Sequence, residues 1–278
     1  DALGPGPRTI NTKPFHYPHW TRAYVTDTDI RDYKDGCLGA ELARDVEMQN
    51  LGSDAFTNSM LVINSSVDGI TGYPEADFHP DVYQFHGGWG HRENVIVYGL
   101  RALNVWAQGI FANDLSTMKD IAFVNVLIER VITASASAVD PFYSQWQVPT
   151  NHLLLWHVEL INQEFRWRQP TVTNLSVTGS YFEALRGVAE ATSLNGNTSL
   201  FDAMGDWRSN HFKNGLGYAM VMPGLDISSG DPGFMDPAND DFRLRPDSPL
   251  RSRLQNICRP TLDGSARQAV TSVGVFDR

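Results

Sequence analysis

The stretch richest in groups that could bind, polarise or take up a proton is Phe78-His79-Pro80-Asp81-Val82-Tyr83-Gln84-Phe85-His86-Gly87-Gly88-Trp89-Gly90-His91-Arg92. Alternation from Asp81 puts Tyr83 and Phe85 on one face and Val82, Gln84 and His86 on the other. With the aromatics in a core, Gln84 and His86 look outward. Together with His79, Trp89, His91 and Arg92 they would supply hydrogen-bond donors, a ring for a sugar face and an imidazole that titrates near neutrality. The competing reading is that His79 and Asp81 fix a corner and the glycines only make a loop. Lys119, Arg101, Arg130, Arg166 and Arg168 are the cations available to neutralise an acidic sugar, and Arg166-Trp167-Arg168 sets a ring between two guanidinium groups. If the chain cleaves a glycan, His86, Arg92 and Lys119 are the candidate catalytic groups. His79, Gln84, Trp89, His91, Arg166, Trp167 and Arg168 are then the candidate substrate contacts.

A second pattern is a recurring phrase of a carboxylate or amide, a slim residue and an apolar one: Asp35-Gly36-Cys37, Asp54-Ala55-Phe56, Asp81-Val82-Tyr83, Gln108-Gly109-Ile110 and Asp140-Pro141-Phe142. Stacked carboxylates repel, so the line could hold Ca²⁺, with Asp54 and Asp81 as candidate ligands. It could also be a sugar-binding line, but the favoured reading is that these residues cap backbone amides at one corner of successive turns. His152, His157 and Glu159 raise a zinc site, but His157 and Glu159 share parity within an apolar run, which favours a satisfied corner histidine. No Gly-x-Ser-x-Gly elbow and no Gly-rich phosphate loop occurs, and no organic cofactor is expected.

A phrase that returns at irregular intervals implies stacked turns of chain with loops of variable length. Short alternating runs supply the strands: Ala23 to Ile30, Val46 to Leu51 and Met60 to Val67. The segments Asn94–Leu103, Asp120–Glu129, His152–Ile161 and Val172–Tyr181 can be laid over one another, each as two strands with a central kink at Gly99, Asn125, His157 or Val177. Residues 1–18, rich in Gly, Pro and Thr, read as an extended arm. Glu183 to Asn214 breaks the rhythm, and Glu183–Ala191 is expected to form a short helix within an insertion or the start of a cap.

The charged share is only 19% and the formal charge is −10, which argues against a nucleic-acid partner because such binding draws on clustered Lys and Arg. No apolar run approaches membrane-spanning length. Cys37 and Cys258 lie far apart, and Cys37 fills an apolar slot, so buried free thiols are expected in preference to a disulfide. The chain opens Asp1-Ala2-Leu3, without an initiator Met, and is expected to be a processed product.

From Trp20 to Phe182 this pattern resembles the right-handed parallel β-helix of the pectate-lyase-like class. Gly230-Asp231-Pro232-Gly233-Phe234-Met235-Asp236-Pro237-Ala238-Asn239-Asp240-Asp241-Phe242-Arg243-Leu244, continuing to Leu250, resembles the segment that closes many secreted bacterial β-helix proteins, and Asp263-Gly264 and Val273–Phe276 fit that ending. The resemblance implies an all-β solenoid with irregular coil lengths: an arm over residues 1–18, coils over 19–182, and an insertion, last coils and a closing region over 183–278. It further implies a secreted or cell-surface protein that engages polysaccharide, as a lyase, a glycosidase or a non-catalytic surface module. The pectate-lyase active-site motif and the paired-Asp and Gly-His-Gly motifs of polygalacturonases are absent, and Gly88-Trp89-Gly90-His91 does not replace them. The helix that usually covers the first coil of such lyases is also absent, so the open end is expected to be hidden by the arm, by further chain or by self-association.

Overall fold

The computed structural model describes residues 8–10, 23–33, 35–71, 80–87, 91–112, 117–131, 144–167, 172–178, 180–187, 204–208, 210–212, 216–217, 227–229, 231–239, 241–248, 254–255 and 270–271. Among them the chain is all-β, with one short 3₁₀ turn at Pro237–Asn239, and no helix is long and apolar enough to cross a membrane. Strands up to Ile227–Ser229 pair in parallel, each with one met later in the chain, in three ladders. Parallel ladders buried on a core face need apolar residues at alternate positions. The sequence supplies them as continuous rows across the strands.

In the first ladder Val25, Ala43, Val62, Val97, Phe123, Leu155 and Val177 stand opposite one another in turn. In the second the row is Ile30, Met48, Val67, Ala102, Ile128, Leu160 and Phe182. In the third Cys37, Phe56, Tyr83 and Ile110 succeed one another, so the first four copies of the recurring phrase stack in register. The fifth, Asp140-Pro141-Phe142, lies outside the described residues; the strand that pairs with Gln108–Ala112 is Ser144–Trp146, with Gln145 opposite Phe111. The ladders close on one core in which Phe56, Tyr83, Phe85, Phe123 and Trp146 pack with ring centroids between 4.9 and 6.5 Å, mostly edge to face. Such pairs add about 0.5–1.5 kcal/mol each to the area they bury. The polar ends of these rings are satisfied: the Tyr83 hydroxyl donates to the Ser59 carbonyl, and Trp146 Nε1 donates to Thr150 Oγ1 at 2.9 Å.

Long strands bend to serve two ladders. Leu42–Leu51 pairs through its first half with Leu61–Ile63 and through its second with Ser66–Ile70; Met118–Arg130 does the same with Glu93–Tyr98 and Arg101–Val105. The bend is one residue in the left-handed region: Asp27, Asp45, Asn64, Gly99, Asn125 and His157, with φ between 47° and 69°. Asn, Asp and Gly tolerate that conformation best. The expected kinks at Gly99, Asn125 and His157 are therefore present. Val177 is not one: it pairs with Leu155, two residues before His157, and fills the core row. The expected helix over Glu183–Ala191 is also overturned over 183–187, since Tyr181–Gly187 is a strand paired with residues 159–167, while 188–191 lie outside the described residues. Register sets positions 182 and 185 opposite Leu160 and Phe165, and that strand pairing outweighs a weak helical propensity.

The arm contributes Arg8–Ile10, which lies parallel on Thr28–Ile30 and extends the second ladder at its start. At the other end, Phe234–Asp236 and Asp241–Leu244 form an antiparallel pair. Phe234, Phe242 and Leu244 bury Leu103, Leu127, Ile161 and Tyr181 on the outer face of the second ladder. The segment that resembles a closing motif thus lies along the side of that ladder. Cys37 is a buried free thiol; Cys258 lies outside the described residues.

Candidate functional site

Of the residues singled out in the sequence, His79, Trp89 and Arg168 lie outside the described residues. Arg166 and Trp167 are described as strand backbone, opposite Gln145 and Trp146. Tyr83 and Phe85 are in the core, Gln84 is half-buried and His86 exposed. The loop that carries them is tied to Asn58: its side chain accepts the His86 amide at 3.1 Å and donates to the His86 carbonyl at 2.8 Å, while its own carbonyl accepts the His91 amide at 3.0 Å. The backbones of His86 and His91 are thus both anchored at Asn58. Arg92 and Lys119 meet across neighbouring strands, the Lys119 amide donating to the Arg92 carbonyl at 3.1 Å.

The acid column sits elsewhere. Asp54 Oδ1 accepts the backbone amide of Asp81 at 3.0 Å and Asp54 Oδ2 accepts the Thr57 hydroxyl at 3.3 Å, so this side chain caps the next turn of chain. Asp81 is fully buried, opposite Gln108, and burial pushes its carboxyl well above the usual range. The slim middle slot of the phrase has a steric cause at Gly109, where a Cβ would meet the Gln163 side chain and, at 2.5 Å, the Ser144 hydroxyl.

A different arrangement gathers on the outer face of the first ladder. Register places Asn94, Asp120 and His152 in one column, each in the left-handed region with φ of 58°, 55° and 61°, which turns their side chains out at the edge of the ladder. His152 Nδ1 donates to Asp120 Oδ1 at 2.6 Å, and Lys119 Nζ approaches Asp120 Oδ2 at 3.5 Å. The His152 hydrogen bond first, then Lys119, holds the Asp120 carboxyl below its usual range. With Nδ1 engaged, the neutral ring presents Nε2 as an acceptor.

Beside this polar margin runs an outward apolar row: Tyr24, Leu42, Leu61, Ile96, Ala122 and Leu154. Tyr24 and Ile96 are 66% and 43% exposed, unusual for such side chains on a sheet face. Two positions along each strand, Tyr98 and Trp156 flank Val124, which they leave only 5% exposed. A shallow depression of about 350 Å³ lies between polar margin and apolar row, lined by Asn94, Ile96, Asp120, Ala122, His152 and Leu154 among others. The strip crosses six strands, so five steps of about 4.8 Å make it roughly 24 Å long.

Sequence reasoning overlaid the three segments that build this strip but took only their kinks from the overlay. The signal was in the flanks, Asn94-x-Ile96-x-Tyr98 and His152-x-Leu154-x-Trp156, where positions facing away from the core remain apolar or aromatic. No family model, curated protein or solved structure matches the chain.

Proposed function

We propose that the three ladders are the faces of a right-handed parallel β-helix of the pectate-lyase-like kind, and that the chain is an extracellular protein that engages polysaccharide along the outer face of the first ladder. The observation that carries this reading is the pairing of an elongated apolar floor, walled by Tyr98 and Trp156, with a polar margin of Asn94, Asp120 and His152. A sugar ring has an apolar C–H face and a hydroxyl edge. Aromatic side chains suit the first, and a carboxylate–imidazole pair with an amide suits the second. The apolar row repeats across six strands, with the polar margin on three of them, and an elongated surface of this kind suits a polymer better than a single small molecule.

The test is binding of purified chain to a broad glycan array, followed by titration with the best oligosaccharide. Trp156→Ala should weaken binding about fivefold or more, the ~1 kcal/mol or more expected of a lost aromatic platform. Unchanged affinity in that variant, with far-ultraviolet circular dichroism preserved, sinks the assignment to this face. Following reducing ends and unsaturated-product absorbance in the same samples reports whether binding leads to cleavage, and repeating the assay with His86→Ala, Arg92→Ala and Lys119→Ala tests those residues.

A further inference from the structure

The charges around the strip narrow what it can hold. Arg44 sits on the same outward row as Tyr98 and Trp156, but its guanidinium lies 3.2 Å from the Asp45 carboxylate and 3.9 Å from that of Asp27. At the opposite margin Lys119 approaches Asp120, and Glu93 stands across from Lys119 in the register. Arg92 is the remaining cation near that margin among the described residues. Five acids, Asp27, Glu41, Asp45, Glu93 and Asp120, the second hydrogen-bonded to Tyr24, therefore face three bases, Arg44, Arg92 and Lys119, on a chain whose formal charge is already −10.

A polyanion needs a surplus of positive charge to repay the water it leaves, and its charged groups are costly to bring against an apolar floor. Neither condition is met here. An uncharged sugar needs none: its hydroxyls can donate to Asp120 and to His152 Nε2 and accept from the Asn94 amide, while its C–H faces lie on Ile96, Tyr98 and Trp156. The hydrogen bond from His152 to Asp120 fixes the ring so that its acceptor nitrogen is available in the neutral state.

We infer that the strip selects neutral, hydroxyl-rich polysaccharides and rejects polyuronates and other anionic glycans. This rests on the reading of the face as a glycan site. Since no electrostatic surplus drives binding, affinity should be nearly independent of salt.

The experiment is isothermal titration of the full chain with cellohexaose, xylohexaose, mannohexaose and galactan oligosaccharides, and with polygalacturonate, alginate, hyaluronan and chitosan, at low and high sodium chloride. The expected result is that the tightest ligand is neutral, that its affinity changes less than about twofold with salt, where screening would weaken a charge-driven complex far more, and that Tyr98→Ala abolishes it. Ile96→Asp, at an exposed position, serves as a second variant that leaves the core untouched and should also abolish binding. A charged polymer that binds more tightly than every neutral one, is weakened by salt and is lost in both variants overturns the neutral selection while leaving the face as the site. Binding of any glycan that neither variant affects, or no binding of any probe, overturns both the site and the selection.

Discussion

Replacing Asp54 separates capping from metal binding. Its Oδ1 accepts the amide of Asp81, a residue with no exposed surface, and its Oδ2 accepts from Thr57. Asp54→Ala leaves that amide without its acceptor, a loss of about 1–3 kcal/mol. Asp54→Asn keeps an oxygen in the same place and should cost less than about 1 kcal/mol. With an unfolding entropy near 2.1 cal/mol/K per residue over 278 residues, roughly 0.6 kcal/mol/K, the alanine variant should melt about 2–5 °C lower and the asparagine variant within about 2 °C of the parent. The assay is thermal unfolding by circular dichroism, with Ca²⁺ and with chelator. Equal losses in both variants, together with a parent melting temperature that Ca²⁺ raises and chelator lowers, would refute the capping account and restore the acid column as a cation site.

Asn125→Ala should destabilise by about 1–2 kcal/mol, because alanine disfavours the left-handed backbone found at φ 52°, whereas Asn125→Gly should recover most of the loss in urea melts. Asp81 has a folded-state pKa above its unfolded one, so it contributes stability that is complete below the ordinary carboxyl value, near pH 4, and is lost as pH rises toward the folded value. Asp81→Asn, which puts an amide where the next strand has Gln108, should flatten the fall of melting temperature with pH above about 4; an unchanged slope would acquit this residue. Burial pushes the Cys37 thiol up to about 12, so a thiol reagent at pH 8 should label it only as fast as the chain opens, and immediate labelling of the native protein would place it at the surface. Gly109→Ala should lower the melting temperature through its clash with Ser144 and Gln163, which would be tested by whether Ser144→Ala in the same chain relieves part of the loss.

The ladders were legible because parallel strands with one buried face repeat apolar residues at fixed register, and the first four copies of the acid–slim–apolar phrase marked that register directly. Kinks at Gly99, Asn125 and His157 were legible because a break in alternation must fall where the chain turns. Val177 was misread because a row of similar apolar residues gives little to separate one position from the next; it stands opposite Leu155 and not opposite His157. Glu183–Ala191 was misread because local helix propensity says nothing about the ladder waiting beside it. The pairing of Asp120 with His152 was hidden for a different reason: 32 residues separate them in sequence, and only stacking of one turn on another brings them to hydrogen-bonding distance.

The single-residue bends between the first and second ladders also set where this chain can grow. Arg44 and Glu47, Ile63 and Ser66, Tyr98 and Arg101, Val124 and Leu127, and Trp156 and Glu159 occupy the two sides of that joint, in every case three residues apart. The other connections differ from turn to turn, as between Ile70 and Asp81 compared with Val105 and Gln108. Added loops, grafted peptides or labels belong in those elastic connections. One extra residue beside Asn125 would instead carry every following side chain to the wrong face of its strand. Two faces of the molecule are thereby locked into a single inextensible corner plate, and the third side is left free to vary.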